Sequence, residues 1–117
     1  MKRVLKVVVG GGLIGIAVGA LVAPRAVAWV FGMPVDDVAA LAWVRAAGMR
    51  DGVLGAIVVT SPDARSLKRT LAWTSLVGLT DAVVLAALRG PRWQHALHLG
   101  GGAAVALLAA AIPSADE

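Results

Sequence analysis

The chain has 117 residues, of which 59% are hydrophobic and 15% charged, and its mean hydropathy is +0.83. A soluble domain of this size buries only about two-thirds of the surface of its unfolded chain, so it could not hide so many apolar side chains. The net charge of +4 comes from Lys and Arg residues scattered in ones to threes, without the basic stripe that a nucleic-acid partner requires. Cysteine is absent, which excludes thiolate catalysis and thiolate metal sites. The composition therefore favours a membrane protein whose main partner is the lipid bilayer.

Four apolar segments predict four transmembrane helices, near residues 4–23, 38–60, 68–88 and 94–112. At 1.5 Å per residue each is long enough to cross a hydrocarbon core of about 30 Å, and none alternates like a strand. Together they predict one all-α membrane domain over residues 1–117, a four-helix bundle.

The connections between these segments carry turn and stop signals. Pro24 ends the first helix, Ser61-Pro62-Asp63 forms a turn cluster, and Gly90-Pro91 ends the third helix. The segment 25–37 is apolar in part but too short to span, so we expect it to lie in the membrane interface.

The distribution of basic residues predicts the orientation in the cell membrane. If the N-terminus is cytoplasmic, six basic residues near span ends lie inside and three lie outside. The inner six are Lys2, Arg3, Lys6, Arg65, Lys68 and Arg69, and the outer three are Arg25, Arg89 and Arg92. We therefore expect both termini on the cytoplasmic side.

Glycines at three- and four-residue spacing predict where helices approach each other closely. The first helix has Gly11, Gly15 and Gly19, and the second has Gly48, Gly52 and Gly55. We expect these two sets to serve helix packing, either within the bundle or, for the first helix, against a second copy.

Ionisable residues within the predicted spans are the strongest functional signal, because each costs about 2.5–3.5 kcal/mol at the centre of a membrane helix. A helical wheel places Arg45, Asp51 and the three glycines of the second helix on one face, with Arg50 pointing elsewhere. On the third helix, a polar stripe faces a partner helix; it consists of Thr70, Thr74, Gly78 and Asp81.

Counting residues from the connecting loops brings Asp81 level with residues 48–49, about one turn from the level of His98. The sequence thus predicts a cluster of charged and polar side chains, formed by Arg45, Arg50, Asp51, Asp81 and His98. Either Arg45 or Arg50 pairs with the carboxylates to hold the hairpin together, or the cluster binds a ligand or performs acid–base chemistry. In the catalytic alternative Asp81 or Asp51 is the general acid and His98 the base. His95 and His98 lack a well-spaced third ligand, so we expect neither a metal nor a cofactor.

Several short motifs resemble those of a family of small bacterial four-helix membrane proteins known as domain of unknown function 4267. The resemblance covers residues 10–112, and its most specific part is the Arg-x-x-Gly-x-Arg-Asp string. The motifs are Ala23-Pro24-Arg25, Phe31-Gly32-Met33-Pro34, Arg45-x-x-Gly48-x-Arg50-Asp51-x-x-x-Gly55, Gly78-x-x-Asp81 and His95-x-x-His98. The resemblance implies a four-helix integral membrane fold and brings no established activity.

Three functions stay open at this point. The first is a scaffold or accessory protein whose buried charges fix its own packing or dock another membrane protein. The second is a binding protein, open to the outside, for a lipophilic or anionic small molecule. The third is a membrane-embedded enzyme, such as an isomerase or cyclase acting on a lipid-like substrate.

Overall fold

The computed structural model describes residues 2–31, 35, 37–87 and 92–113. These residues form five helices and no strand. We number the helices α1 (Lys2–Val22), α2 (Pro24–Phe31), α3 (Val38–Thr60), α4 (Ala64–Ala87) and α5 (Arg92–Ala110). The chain is therefore all-α over its described part, and α1 contains a π-helical turn at Lys6–Gly10.

Local signals account for where these helices begin. Asp37 caps α3, because its Oδ1 accepts a hydrogen bond from the Ala40 N–H at 2.7 Å. Asp63 caps α4 in the same way, because its Oδ1 accepts a hydrogen bond from the Ser66 N–H at 2.7 Å. Helix α4 therefore begins at Ala64, earlier than the predicted start near residue 68.

The predicted interfacial segment contains the short helix α2, which follows α1 directly. Ala23 leaves the helical conformation, with φ −133° and ψ 61°, and Pro24 then occupies the first position of α2, where its missing N–H costs nothing. The predicted end of the third span at Leu88, the Gly90-Pro91 stop and the tail 114–117 lie outside the described residues.

The four long helices are arranged as two antiparallel pairs. The most extensive contacts join α1 to α3 and α4 to α5, whereas α3 and α4 touch each other much less despite their short connection. Helix α2 packs on α1 and α3 and also reaches α5.

Two apolar cores hold this arrangement, one at each end. The core beside the α3–α4 turn draws on all four long helices and consists of Leu5, Val58, Ala64, Leu67, Leu71, Ala109 and Ile112. The core at the opposite end consists of Ala20, Ala28 and Val44. Because this second core belongs to α1, α2 and α3 only, the α4–α5 pair is less firmly joined to the rest at that end.

The outward faces of the long helices are apolar. Val22 is 81% exposed, Val53 57%, Trp73 60% and Leu107 72%, whereas soluble monomers rarely expose large apolar patches. Among the described helices, α1 alone is long and apolar enough, by length and composition, to cross a membrane.

Candidate functional site: a charged cluster in the wall of a cavity

A half-enclosed cavity of about 210 Å³ lies between the α1–α3 pair and the α4–α5 pair. All five helices contribute to its wall, which is mostly apolar. Its apolar side chains include Leu13, Ile16, Phe31, Leu54, Val77 and Val105. The cavity therefore separates the two helix pairs, which touch each other less than the helices within each pair do.

Three charged side chains in the cavity wall form a connected group, which we call the Arg50–Asp51–Asp81 triad. Arg50 of α3 donates two hydrogen bonds to Asp81 of α4, from Nη1 to Oδ1 at 3.1 Å and from Nη2 to Oδ2 at 2.8 Å. It also donates from Nε and Nη2 to Oδ1 of Asp51, at 3.2 and 3.0 Å. The bidentate contact to Asp81 ties the two helix pairs together, since charge-assisted pairs of this geometry are the strong ones.

The triad contains one cation and two carboxylates. The Asp51 and Asp81 side chains are 18% and 24% exposed, and that of Arg50 is 39% exposed. Within the described part of the chain, Oδ2 of Asp51 accepts no hydrogen bond. With both carboxyls ionised, the group carries a formal charge of −1, and the hydrogen bonds that Arg50 donates to Asp51 end on Oδ1 alone.

His98 of α5 completes the polar part of the cavity wall. It is 8% exposed, and its Nε2 lies 3.3 Å from the carbonyl oxygen of Phe31. A carbonyl can only accept, so Nε2 carries a proton and donates it to this oxygen. The ring also packs against that of Phe31, with centroids 5.3 Å apart. His98 forms no ion pair with either carboxylate of the triad in the described part of the chain.

The structure corrects the predicted orientation of the two arginines. Arg45 is exposed, does not line the cavity and has no ion pair among the described residues, whereas Arg50 provides the cation. The helical wheel gives the direction of the Cα–Cβ bond, but the guanidinium of an arginine lies several bonds further and can turn back around the helix.

The glycines of α3 lie against α1, whereas most of the glycine stripe of α1 does not lie against α3, so packing of that stripe against a second copy stays a prediction. A Cβ on Gly48, Gly52 or Gly55 would collide with α1, so these glycines allow the close approach. In contrast, Gly11 and Gly15 face open space, and Gly19 lies against Val27 of α2.

The face of α1 that contacts α3 presents Gly10, Ala17 and Ala20. All three are buried, and they recur at seven- and three-residue intervals, which is the helical packing signal. The glycine stripe next to them is more conspicuous in the sequence but is not the face that contacts α3.

A polar contact that the sequence did not reveal joins α4 to α5. The hydroxyl of Ser75 donates to the carbonyl of Gly102 at 2.7 Å, beside the close approach of Gly78 to Gly102. Of the predicted polar stripe, Thr70 and Thr74 donate to carbonyls of their own helix. Thr74, Gly78 and Asp81 line the cavity.

The described residues include no group of three or more His, Asp or Glu side chains that could hold a metal ion. The side chain of His95 lies outside the described part of the structure.

No curated protein and no solved structure matches the chain. The sequence model described as Domain of unknown function (DUF4267) matches residues 10–112. This range includes the triad, His98 and almost all of the five helices. The chain therefore belongs to the DUF4267 family, as its motifs predicted.

Proposed function

We propose that this protein is a four-span integral protein of the cell membrane that binds a small lipophilic molecule in the cavity between its two helix pairs. The observation that carries the proposal is the half-enclosed, mostly apolar cavity of about 210 Å³ with a charged triad in its wall.

The lengths of the helices support four spans. Helices α1, α3, α4 and α5 have 21, 23, 24 and 19 residues, or roughly 28–36 Å at 1.5 Å per residue, which matches a hydrocarbon core. The charges of α3 and α4 lower their mean hydropathy. However, Arg50, Asp51 and Asp81 bond to one another, while large apolar side chains of the same helices lie outside.

The orientation follows from one basic end of the molecule. The core beside the α3–α4 turn brings the start of α1 next to the start of α4, and therefore brings the six predicted inner basic residues to the same end. Lys6 also donates to the carbonyl of Ser61 there. The positive-inside rule makes this end cytoplasmic.

Cysteine labelling tests the orientation without background, because the chain has no native cysteine. We expect an impermeant maleimide to label Gly32→Cys in intact cells and to label Ser114→Cys only after permeabilisation. Labelling of Ser114→Cys in intact cells would contradict the proposed topology.

The cavity favours ligand binding over a purely structural role for the triad. Helices that meet around a cavity make fewer dispersion contacts with each other than closely packed helices do, so joining the helices alone would not require the cavity. A scaffold or accessory role is the second candidate, and the interhelical Arg50–Asp81 pair favours it because this pair fixes the packing of the protein itself.

Two glycines of α5 provide a matched pair of variants for testing the cavity. A side chain added at Gly100 or Gly101 meets open space in both cases, but only Gly101 lines the cavity. Gly101→Leu should therefore fill the cavity, and Gly100→Leu should leave it empty, with the same gain in helix propensity.

The probes are benzyltrimethylammonium and its uncharged isostere neopentylbenzene, added to protein purified in a neutral detergent. We expect at least one of them to raise the Tm of the natural protein and of Gly100→Leu, because a ligand that binds only the folded state stabilises it. Gly101→Leu should lose that increase. If neither probe raises the Tm of the natural protein more than that of Gly101→Leu, the cavity is not a binding site for such molecules.

A further inference from the structure

We infer that the ligand of this cavity is a small lipophilic cation, a monovalent amine or quaternary ammonium. The inference rests on the proposed function, since it names the ligand class of the same cavity. It follows from the surplus of carboxylates over cations in the cavity wall.

Among the described ionisable side chains that line the cavity, two carboxylates stand against one arginine, and His98 is the fourth ionisable group. Arg50 faces both Asp51 and Asp81, and no other Arg or Lys among the described residues lines the cavity. Arg45, the other cation of the same helix stretch, is exposed and outside the wall. An uncompensated carboxylate beside apolar side chains is unfavourable, so a bound cation would stabilise the site.

Arg50 is poorly disposed to bind an anionic ligand. It already donates four hydrogen bonds to the two carboxylates, which leaves one of its five N–H groups. An anion would also approach two carboxylates at close range, and like charges repel more strongly beside apolar walls than in water.

Asp51 is the residue that we expect to face the cation. Its Oδ1 accepts both hydrogen bonds from Arg50, so its Oδ2 stays available within the described part of the chain. Asp81 has both oxygens engaged by Arg50. The two carboxylates therefore have different roles, since Asp81 joins the helices and Asp51 holds the ligand.

The volume and lining of the cavity restrict the apolar part of the ligand. An apolar cavity of about 150 Å³ holds a benzene molecule, so about 210 Å³ accommodates one ring or a compact branched group with a small ammonium head. The ring of Phe31 lies in the wall and can contribute a cation–π contact.

The experiment compares the two isosteric probes by their dissociation constants. We expect benzyltrimethylammonium to bind the natural protein at least about tenfold more tightly than neopentylbenzene, since a charge pair in a partly apolar wall is worth several times its value in water. The two probes have the same shape but different hydration, so the change of their ratio from one variant to another reports the contact with the charge.

Asp51→Asn then removes the surplus carboxylate and leaves the Arg50–Asp81 pair intact. We expect it to bring the two dissociation constants to within about threefold of each other by weakening the cation only. Asp51→Glu should retain the preference. Asp37→Asn is the matched control, because it removes a carboxylate outside the cavity wall and Asn also caps helices well; its ratio should equal that of the natural protein.

The outcomes separate the inference from the proposed function. If neopentylbenzene binds the natural protein as tightly as benzyltrimethylammonium, and Gly101→Leu weakens both, the cavity binds ligands but is not selective for cations. A cation preference that survives Asp51→Asn would also overturn the assignment to Asp51. If Gly101→Leu affects neither probe, the proposed binding function itself is wrong.

Discussion

The interface between α1 and α3 differs sharply from the interface between the two helix pairs. In the first, small residues face small residues, and a Cβ on Gly10 would lie 2.6 Å from the Val59 side chain and 2.9 Å from the Gly55 carbonyl oxygen. In the second, a charged triad spans from α3 to α4 beside a cavity of about 210 Å³.

The difference shows two ways in which helices can be joined, by close packing of small residues and by a hydrogen-bonded ion pair. Close approach maximises dispersion contacts and leaves no room for a ligand. A hydrogen-bonded ion pair holds helices at a greater distance and leaves space next to it. We therefore expect the tight interface to be the more rigid of the two, and the polar interface is the one that we propose as the binding site.

The largest expected effect comes from adding a side chain within the tight interface. Gly10→Leu should destabilise the protein by about 3 kcal/mol, because the added atoms meet the α3 backbone, which cannot move aside. The adjacent Gly11→Leu is the control, since a Cβ there meets open space. Thermal unfolding in detergent measures both, and equal Tm values for the two variants would contradict the described packing of α1.

A smaller effect is expected from breaking the ion pair between the helix pairs. Asp81→Asn should cost about 1–2 kcal/mol, less than for a fully buried pair, because the side chains are partly exposed and Arg50 keeps Asp51 as a partner.

A double-mutant cycle measures the interaction of Arg50 with Asp81 separately from the other effects of each substitution. Arg50→Gln combined with Asp81→Asn should be less destabilising than the sum of the two single changes by about 1 kcal/mol. The same cycle with Arg45→Gln should show no coupling. Coupling of Asp81 to Arg45 instead of Arg50 would show the arginine assignment to be wrong.

Removing the hydrogen bond between α4 and α5 should cost less stability than breaking the ion pair. Ser75→Ala removes the hydrogen bond to the Gly102 carbonyl and should cost roughly 0.6–1.7 kcal/mol, the range found for hydrogen bonds between membrane helices. Thr80→Ala is the control, because the Thr80 hydroxyl donates to the Leu76 carbonyl of its own helix. A drop in Tm for Thr80→Ala as large as that for Ser75→Ala would remove the distinction between the two hydroxyls.

The smallest effect is expected at the turn that connects the two pairs. The Ser66 backbone N–H donates to the exposed Asp63 carboxylate and lowers its pKa below the ordinary value. A lowered pKa stabilises the fold above the ordinary carboxyl range, and this stabilisation is lost as the pH falls through the folded-state pKa. The Tm difference between the natural protein and Asp63→Ala should therefore shrink in strong acid. If this Tm difference does not change with pH, the ionised Asp63 carboxylate is not what stabilises the start of α4.

The local features of this protein could be predicted from its sequence. Composition and the spacing of apolar runs indicated an all-α chain, and Val38–Thr60 coincides with the predicted segment 38–60. The motifs indicated the family, whose match spans residues 10–112. Counting residues brought Asp81 near the level of Arg50, because the rise of a helix is fixed. These features depend on the chain's own periodicity and need no knowledge of its neighbours.

The tertiary structure decided how the helices face one another. It selected Gly10, Ala17 and Ala20 over the glycine stripe of α1 and Arg50 over Arg45, and it created the cavity. The sequence could not decide these points, because the rotation of a helix about its axis depends on how side chains of several helices fit together. The path of a long arginine side chain likewise depends on the carboxylates that surrounding helices bring within reach.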